Sequence, residues 1–144
     1  MEKRDQILNL INDYISCAKY MCSLLGEAYD IKGESFLRAR REDLIPKEGL
    51  LSEGCKFSFH GGGCYFEFEN GAIDIDFGPD NRCDGFDSFR LFDFLKTSKS
   101  EKYAHLNSEA IIKEELDKLL KEKIIIELKT YPNPHLFFVS SKFP

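Results

Sequence analysis

The sequence predicts an α+β fold in a single domain: an antiparallel β-sheet, made of a three-stranded meander and a C-terminal hairpin, covered on one face by helices. Three observations carry that prediction. Apolar residues recur at helical spacing over residues 4–29 and again over about 108–123. Residues 55–78 alternate apolar and polar side chains and are broken by a triple glycine and an Asn-Gly pair. Short β-rich runs then follow between residues 124 and 140. With 144 residues, 42% of them hydrophobic, the chain is sized to bury about two-thirds of its unfolded surface around one core.

The first helix presents Ile7, Leu8, Leu10, Ile11, Tyr14, Ile15, Ala18, Met21, Cys22 and Leu25 on a broad apolar face, with Gly26 weakening its last turn. Ser35 can cap a short helix to about Asp43, stopped before Pro46. Arg38, Arg40 and Arg41 lie on it among Glu34, Glu42 and Asp43, as a solvated face or as counter-charge for acidic strands. Past the meander, Gly78-Pro79-Asp80-Asn81 reads as a turn, and Asp84 or Asp87 caps a helix over about 86–96. Its stripe of Phe86, Phe89, Phe92 and Leu95 is expected to cover the apolar face of the sheet. Residues 97–107 read as a polar linker. Asn107 or Ser108 caps the next helix, which carries favourable pairs such as Glu109–Lys113 and Glu114–Lys118. Strands at 124–128 and 136–139, joined through Thr130-Tyr131-Pro132-Asn133-Pro134, are expected to extend or flank the central sheet.

The meander specifies its faces. A two-residue Gly61-Gly62 turn, or a four-residue loop from His60 to Gly63, places Phe59 opposite Cys64 and Phe57 opposite Phe66. If Asn70-Gly71 is the second loop, Glu67 faces Asp74 and Tyr65 faces Asp76. Cys64, Phe66, Phe68, Ile73, Ile75 and Phe77 then share an apolar face, and His60, Tyr65, Glu67, Asp74 and Asp76 share a polar one. Like charges directly opposite destabilise a sheet. Water, a metal ion, a basic partner or a nearby cation would relieve them, and Arg90 is positioned in sequence to clamp Asp74 or Asp76.

Composition excludes several classes. No apolar run approaches the ~20 residues of a membrane helix, and no signal-peptide core follows Met1-Glu2-Lys3-Arg4-Asp5, so a soluble, cytoplasmic protein is expected. The net charge of −5 is concentrated in residues 49–95, where three Lys/Arg oppose nine Asp/Glu. That balance disfavours nucleic acid and suits a basic protein or a cation. The five cysteines show no CxxC pairing, so reduced, buried thiols are expected rather than a zinc set. His60-Gly61-Gly62-Gly63 is similar to an esterase oxyanion loop, yet the chain lacks G-x-S-x-G. A calcium loop over Asp80–Gly85 fails because Arg82 stands at a ligand position and Leu91 where the bidentate glutamate belongs.

His60-Gly61-Gly62-Gly63-Cys64, Ile73-Asp74-Ile75-Asp76-Phe77-Gly78, and Arg82 with Asp84-Gly85-Phe86-Asp87-Ser88-Phe89-Arg90-Leu91 resemble the shared core of an uncharacterised bacterial family of small single-domain proteins. The resemblance covers roughly residues 55–95. It implies a cytoplasmic protein-binding module of the immunity type, which neutralises toxins, and it implies no reaction. The expectation is therefore a non-enzymatic binder of a basic, toxin-like protein, without cofactor, metal, nucleic acid or membrane. Its binding residues would be His60, Tyr65, Glu67, Asp74, Asp76 and Arg90. The alternative is a metal-dependent or His/Asp acid–base enzyme centred on His60 with Asp74 or Asp76, His60 and Asp76 being the catalytic candidates.

Overall fold

The computed structural model describes residues 2–31, 36–51, 54–61, 63–69, 71–77, 84–98, 101–129 and 134–139. Ser35, Gly62, Asn70, the turn at 78–81, Arg82, Cys83 and the loop at 130–133 lie outside the described residues. The architecture is α+β. Helix α1 (Lys3–Tyr29) and helix α2 (Phe36–Arg41) precede strands β1 (Glu48–Leu50), β2 (Lys56–His60), β3 (Gly63–Phe68) and β4 (Gly71–Asp76). Helix α3 (Ser88–Ser98), a 3₁₀ turn (Glu101–Tyr103), helix α4 (Glu109–Lys121) and strands β5 (Ile125–Lys129) and β6 (Pro134–Phe138) follow.

The four central strands form an antiparallel sheet in the order β1-β2-β3-β4, and β5 and β6 form a separate pair. Strand β1 was not expected from the sequence; a three-residue strand with Gly49 in the middle carries too little alternation to show. The β2–β3 register matches expectation, with Phe59 opposite Cys64 and Phe57 opposite Phe66. The β3–β4 register differs from it. Phe68 pairs with Gly71, so Glu67 lies opposite Ala72 and Tyr65 opposite Asp74. The pairing is displaced by an even step, so the faces are preserved while the Glu67–Asp74 confrontation is removed.

Helix α1 buries the stripe read from its sequence, from Ile7 through Leu25. Asp30 ends it in the left-handed region, donating its N–H to Glu27 O and Gly26 O. Tyr29 meets Phe57 edge-to-face at 5.8 Å, and the apolar face of the sheet joins α1, α3 and α4 in one core. Ser108 caps α4, accepting from Ile111 N at 3.2 Å. The linker at 97–107 is more structured than expected, because Tyr103 and Leu106 are buried and the Tyr103 hydroxyl donates to Asp13.

Helix α3 runs beside β4, with Thr97 packed against Gly71. Leu91 is buried, but Phe89 is 56% exposed, so the expected aromatic stripe is only partly a core stripe. Phe86 precedes the helix and does a different job. It exchanges backbone hydrogen bonds with Leu136, at 3.0 and 2.8 Å, while neighbouring Gly85 bridges to Asp76. Through this segment the C-terminal pair flanks the central sheet at the end of β4.

Candidate functional site

Strand alternation aims Asp74 and Asp76 to the same side of β4, and α3 brings Arg90 onto them. Arg90 Nη1 lies 2.8 Å from Asp74 Oδ2, and Arg90 Nε lies 3.7 Å from Asp76 Oδ2. Asp87 fixes the start of α3 by accepting from Arg90 N at 2.7 Å, which in turn aims the arginine at the strand. Arg90 thus pairs with Asp74 by one contact and stands near Asp76, rather than forking onto a single carboxylate, and this carboxylate pair is largely shielded. The Asp74 side chain is 14% exposed and that of Asp76 only 2%. Tyr14 of α1 donates its hydroxyl to the backbone carbonyl of Asp74, occupying a point on the edge of β4 before the Gly85–Asp76 bridge.

Two histidines flank the pair. His60, at the end of β2, places Nε2 2.6 Å from Asp74 Oδ1. With Asp74 ionised, that short contact puts the proton on Nε2. His135, on β6, places Nε2 3.2 Å from Asp76 Oδ2. Burial pushes the Asp74 carboxyl up despite the opposing pull of the His60 hydrogen bond and the Arg90 charge. The side-chain contact with Asp76 pushes His135 up and outweighs the burial that would lower it. Neither Asp76 Oδ2 nor Arg90 Nε has a hydrogen bond of proper geometry, although both are buried.

His60 stands at the mouth of this cluster. Its side chain, 39% exposed, lines an open groove of ≈ 690 Å³ with Arg40, Arg41, Asp43 and Lys47. Two arginines of α2 pair within their own segment, Arg38 with Glu42 at 3.2 Å and Arg40 with Asp43 at 3.5 Å. Tyr65 and Glu67 are exposed on the outer face of the sheet. There a second groove, ≈ 500 Å³, runs over Glu48, Leu50, Lys56, Ser58, Tyr65 and Glu67.

Of the residues singled out from sequence, His60, Asp74, Asp76 and Arg90 converge through side-chain contacts; Tyr65 lies on the same face, directly opposite Asp74, and Glu67 lies opposite Ala72 and Lys56. His60 contacts Asp74, and Asp76 lies deeper with His135. Sequence reasoning did not find His135. Its local signal is a single histidine after Pro134, and the Phe86–Leu136 and Gly85–Asp76 bridges carry it to β4. Among the described residues, Asp76, Asp87 and His135 form a group with ligand atoms all within 4.8 Å of one another.

None of the described helices is long and apolar enough to cross a membrane. No curated protein and no solved structure matches the chain. Residues 7–139, from the first turn of α1 to just past β6, match the family described as Domain of unknown function (DUF6896), and the chain belongs to that family.

Proposed function

We propose that this chain is a non-enzymatic protein-binding module of the immunity or inhibitor type, acting in the cytoplasm, whose docking surface is the outer face of the four-stranded sheet. One observation carries the reading. Tyr65, 39% exposed, and Leu50, 65% exposed, sit within a groove edged by Glu48 and Glu67. An aromatic and an aliphatic anchor inside a charged rim is the composition of a binding patch. The acidic balance of residues 49–95 favours a basic partner and disfavours nucleic acid. Asp74 adjoins this surface opposite Tyr65, and with Asp76 and Arg90 it would act as its stiffening, with His60 at its border.

The test uses basic proteins encoded beside this chain, each titrated against the wild type, Tyr65→Ala and Glu67→Lys. A cognate partner should bind the wild type and lose at least tenfold in affinity to each variant, with thermal unfolding unchanged, as expected of exposed residues. Equal binding by all three chains would remove the sheet face as the docking surface.

The 2.6 Å contact between His60 and Asp74 favours a second reading, an acid–base site opening on the groove beside α2. There Asp74 would orient the imidazole, and Arg41 and Lys47 would attract an anionic substrate. Turnover of simple ester or phosphodiester substrates, lost in both His60→Ala and Asp74→Asn, would support it. Turnover that persists in either variant would not.

A further inference from the structure

We propose that Asp76, Asp87 and His135 bind a divalent transition-metal ion, with zinc the best-fitting occupant, at the junction of β4, the entry to α3 and β6. The proposal is independent of the docking surface and of the His60 site. Three donor atoms within 4.8 Å of one another converge from segments distant in the chain, and two of the three residues are buried. Bonds of about 2.0–2.2 Å require these atoms to draw closer by small side-chain rotations.

A second observation points into the same spot. Asp76 Oδ2 is buried without a hydrogen bond of proper geometry, and its nearest partner is His135 Nε2 at 3.2 Å, a residue of the same group. Arg90 does not satisfy it: the guanidinium is committed to Asp74 at 2.8 Å, and its Nε stands 3.7 Å from Asp76 Oδ2. Buried polar atoms are normally satisfied, and an exception marks water or an ion. Charge balance favours the ion. Three carboxylates, Asp74 and Asp76 beside the Arg90 guanidinium and Asp87 bonded to the Arg90 backbone N–H, outnumber that cation by two when both imidazoles are neutral, as His135 must be to ligate a metal. A dication cancels that excess.

The donor set selects the metal class. One imidazole with two carboxylates suits zinc, manganese or iron, whereas magnesium and calcium take oxygen ligands. Asp87 can keep one oxygen on Arg90 N and offer the other to the ion. Bound there, the ion would tie the C-terminal strand pair to the central sheet, beside the two backbone hydrogen bonds between Phe86 and Leu136.

The experiment takes the full chain after chelator treatment and follows its melting temperature and heats of binding with Zn²⁺, Mn²⁺, Mg²⁺ and Ca²⁺. Zinc should bind near one equivalent and raise the melting temperature, because an ion held by the folded state alone stabilises it. His135→Gln and Asp87→Asn should weaken zinc at least tenfold, while Glu114→Gln, an exposed carboxylate on α4, should not. Cobalt(II) bound to the wild type should show visible bands without thiolate charge transfer, a readout that holds even if a variant fails to fold. No zinc binding, binding retained by both site variants, or a thiolate–cobalt band would each overturn the proposal. The first would leave a proton on His135 or a water as the occupant.

Discussion

Arg90 shows how one side chain sets the energetics of a neighbourhood. Removing it takes the 2.8 Å ion pair from Asp74 and a nearby positive charge from Asp76, leaving the two shielded carboxylates to His60 and His135, and losing a cation from a shielded site costs far more than losing a surface pair. Arg90→Ala should therefore cost about 3 kcal/mol in urea unfolding. Arg90→Lys should recover only part, since one ammonium cannot address Asp74 and Asp76 as a planar fork does. A change below about 0.5 kcal/mol for Arg90→Ala would mean that water already screens the pair. Cys64 makes a second residue-scale case. It is fully buried in the core, and burial pushes its thiol up to about 12, so almost no thiolate exists near neutrality. Iodoacetamide at pH 8 should leave Cys64 unmodified in the folded protein and label it once the chain is unfolded. Mass spectrometry of the native digest decides this, and a labelled Cys64 would show that β3 opens readily.

The elements depend on local chemistry that differs from place to place. Ser108 satisfies an otherwise unpaired N–H of α4, and Ser108→Ala should cost about 1 kcal/mol. Gly63 is constrained by its neighbours instead. A Cβ there would stand 1.8 Å from the Ile75 carbonyl oxygen, so β3 and β4 approach too closely for any side chain. Gly63→Ala should cost about 3 kcal/mol or more, or block folding, and a stability within about 0.5 kcal/mol of wild type would contradict the close approach. The triple glycine reads from sequence as turn chemistry. For Gly63 the structure gives a different reason, a strand position opposite Asp76 whose partner backbone leaves no room.

At the scale of the whole molecule, one hydrophobic core takes residues from α1, the central sheet, α3, α4 and the C-terminal strands. Such a core has no internal boundary at which part of it could melt alone. Urea unfolding followed by far-UV circular dichroism and by Cys64 labelling should give coincident midpoints. An earlier loss of one signal would show that α4 with the last two strands opens separately. The bridges of Gly85 to Asp76 and of Phe86 to Leu136 make the docking of that unit a matter of backbone pairing as well as apolar burial. Gly85 is constrained there too, by a side chain rather than by backbone, since a Cβ would meet the buried Phe137 ring at 2.8 Å.

The helices, the meander and its two faces follow from the sequence because each rests on a short period: 3.6 residues for α1 and α4, two for β2 to β4. The approach of Arg90 to Asp74 and Asp76 was legible for a related reason, as a like-signed strand needs a cation and few are near in sequence. The β3–β4 register was not fully legible, because displacing it by an even step leaves both faces unchanged. Nor was β1, too short to show a period. The arrival of His135 at Asp76 was decided only by tertiary structure. Nothing local to β6 specifies its neighbour, and the choice is made where Phe86 pairs with Leu136 and the shared core closes around them.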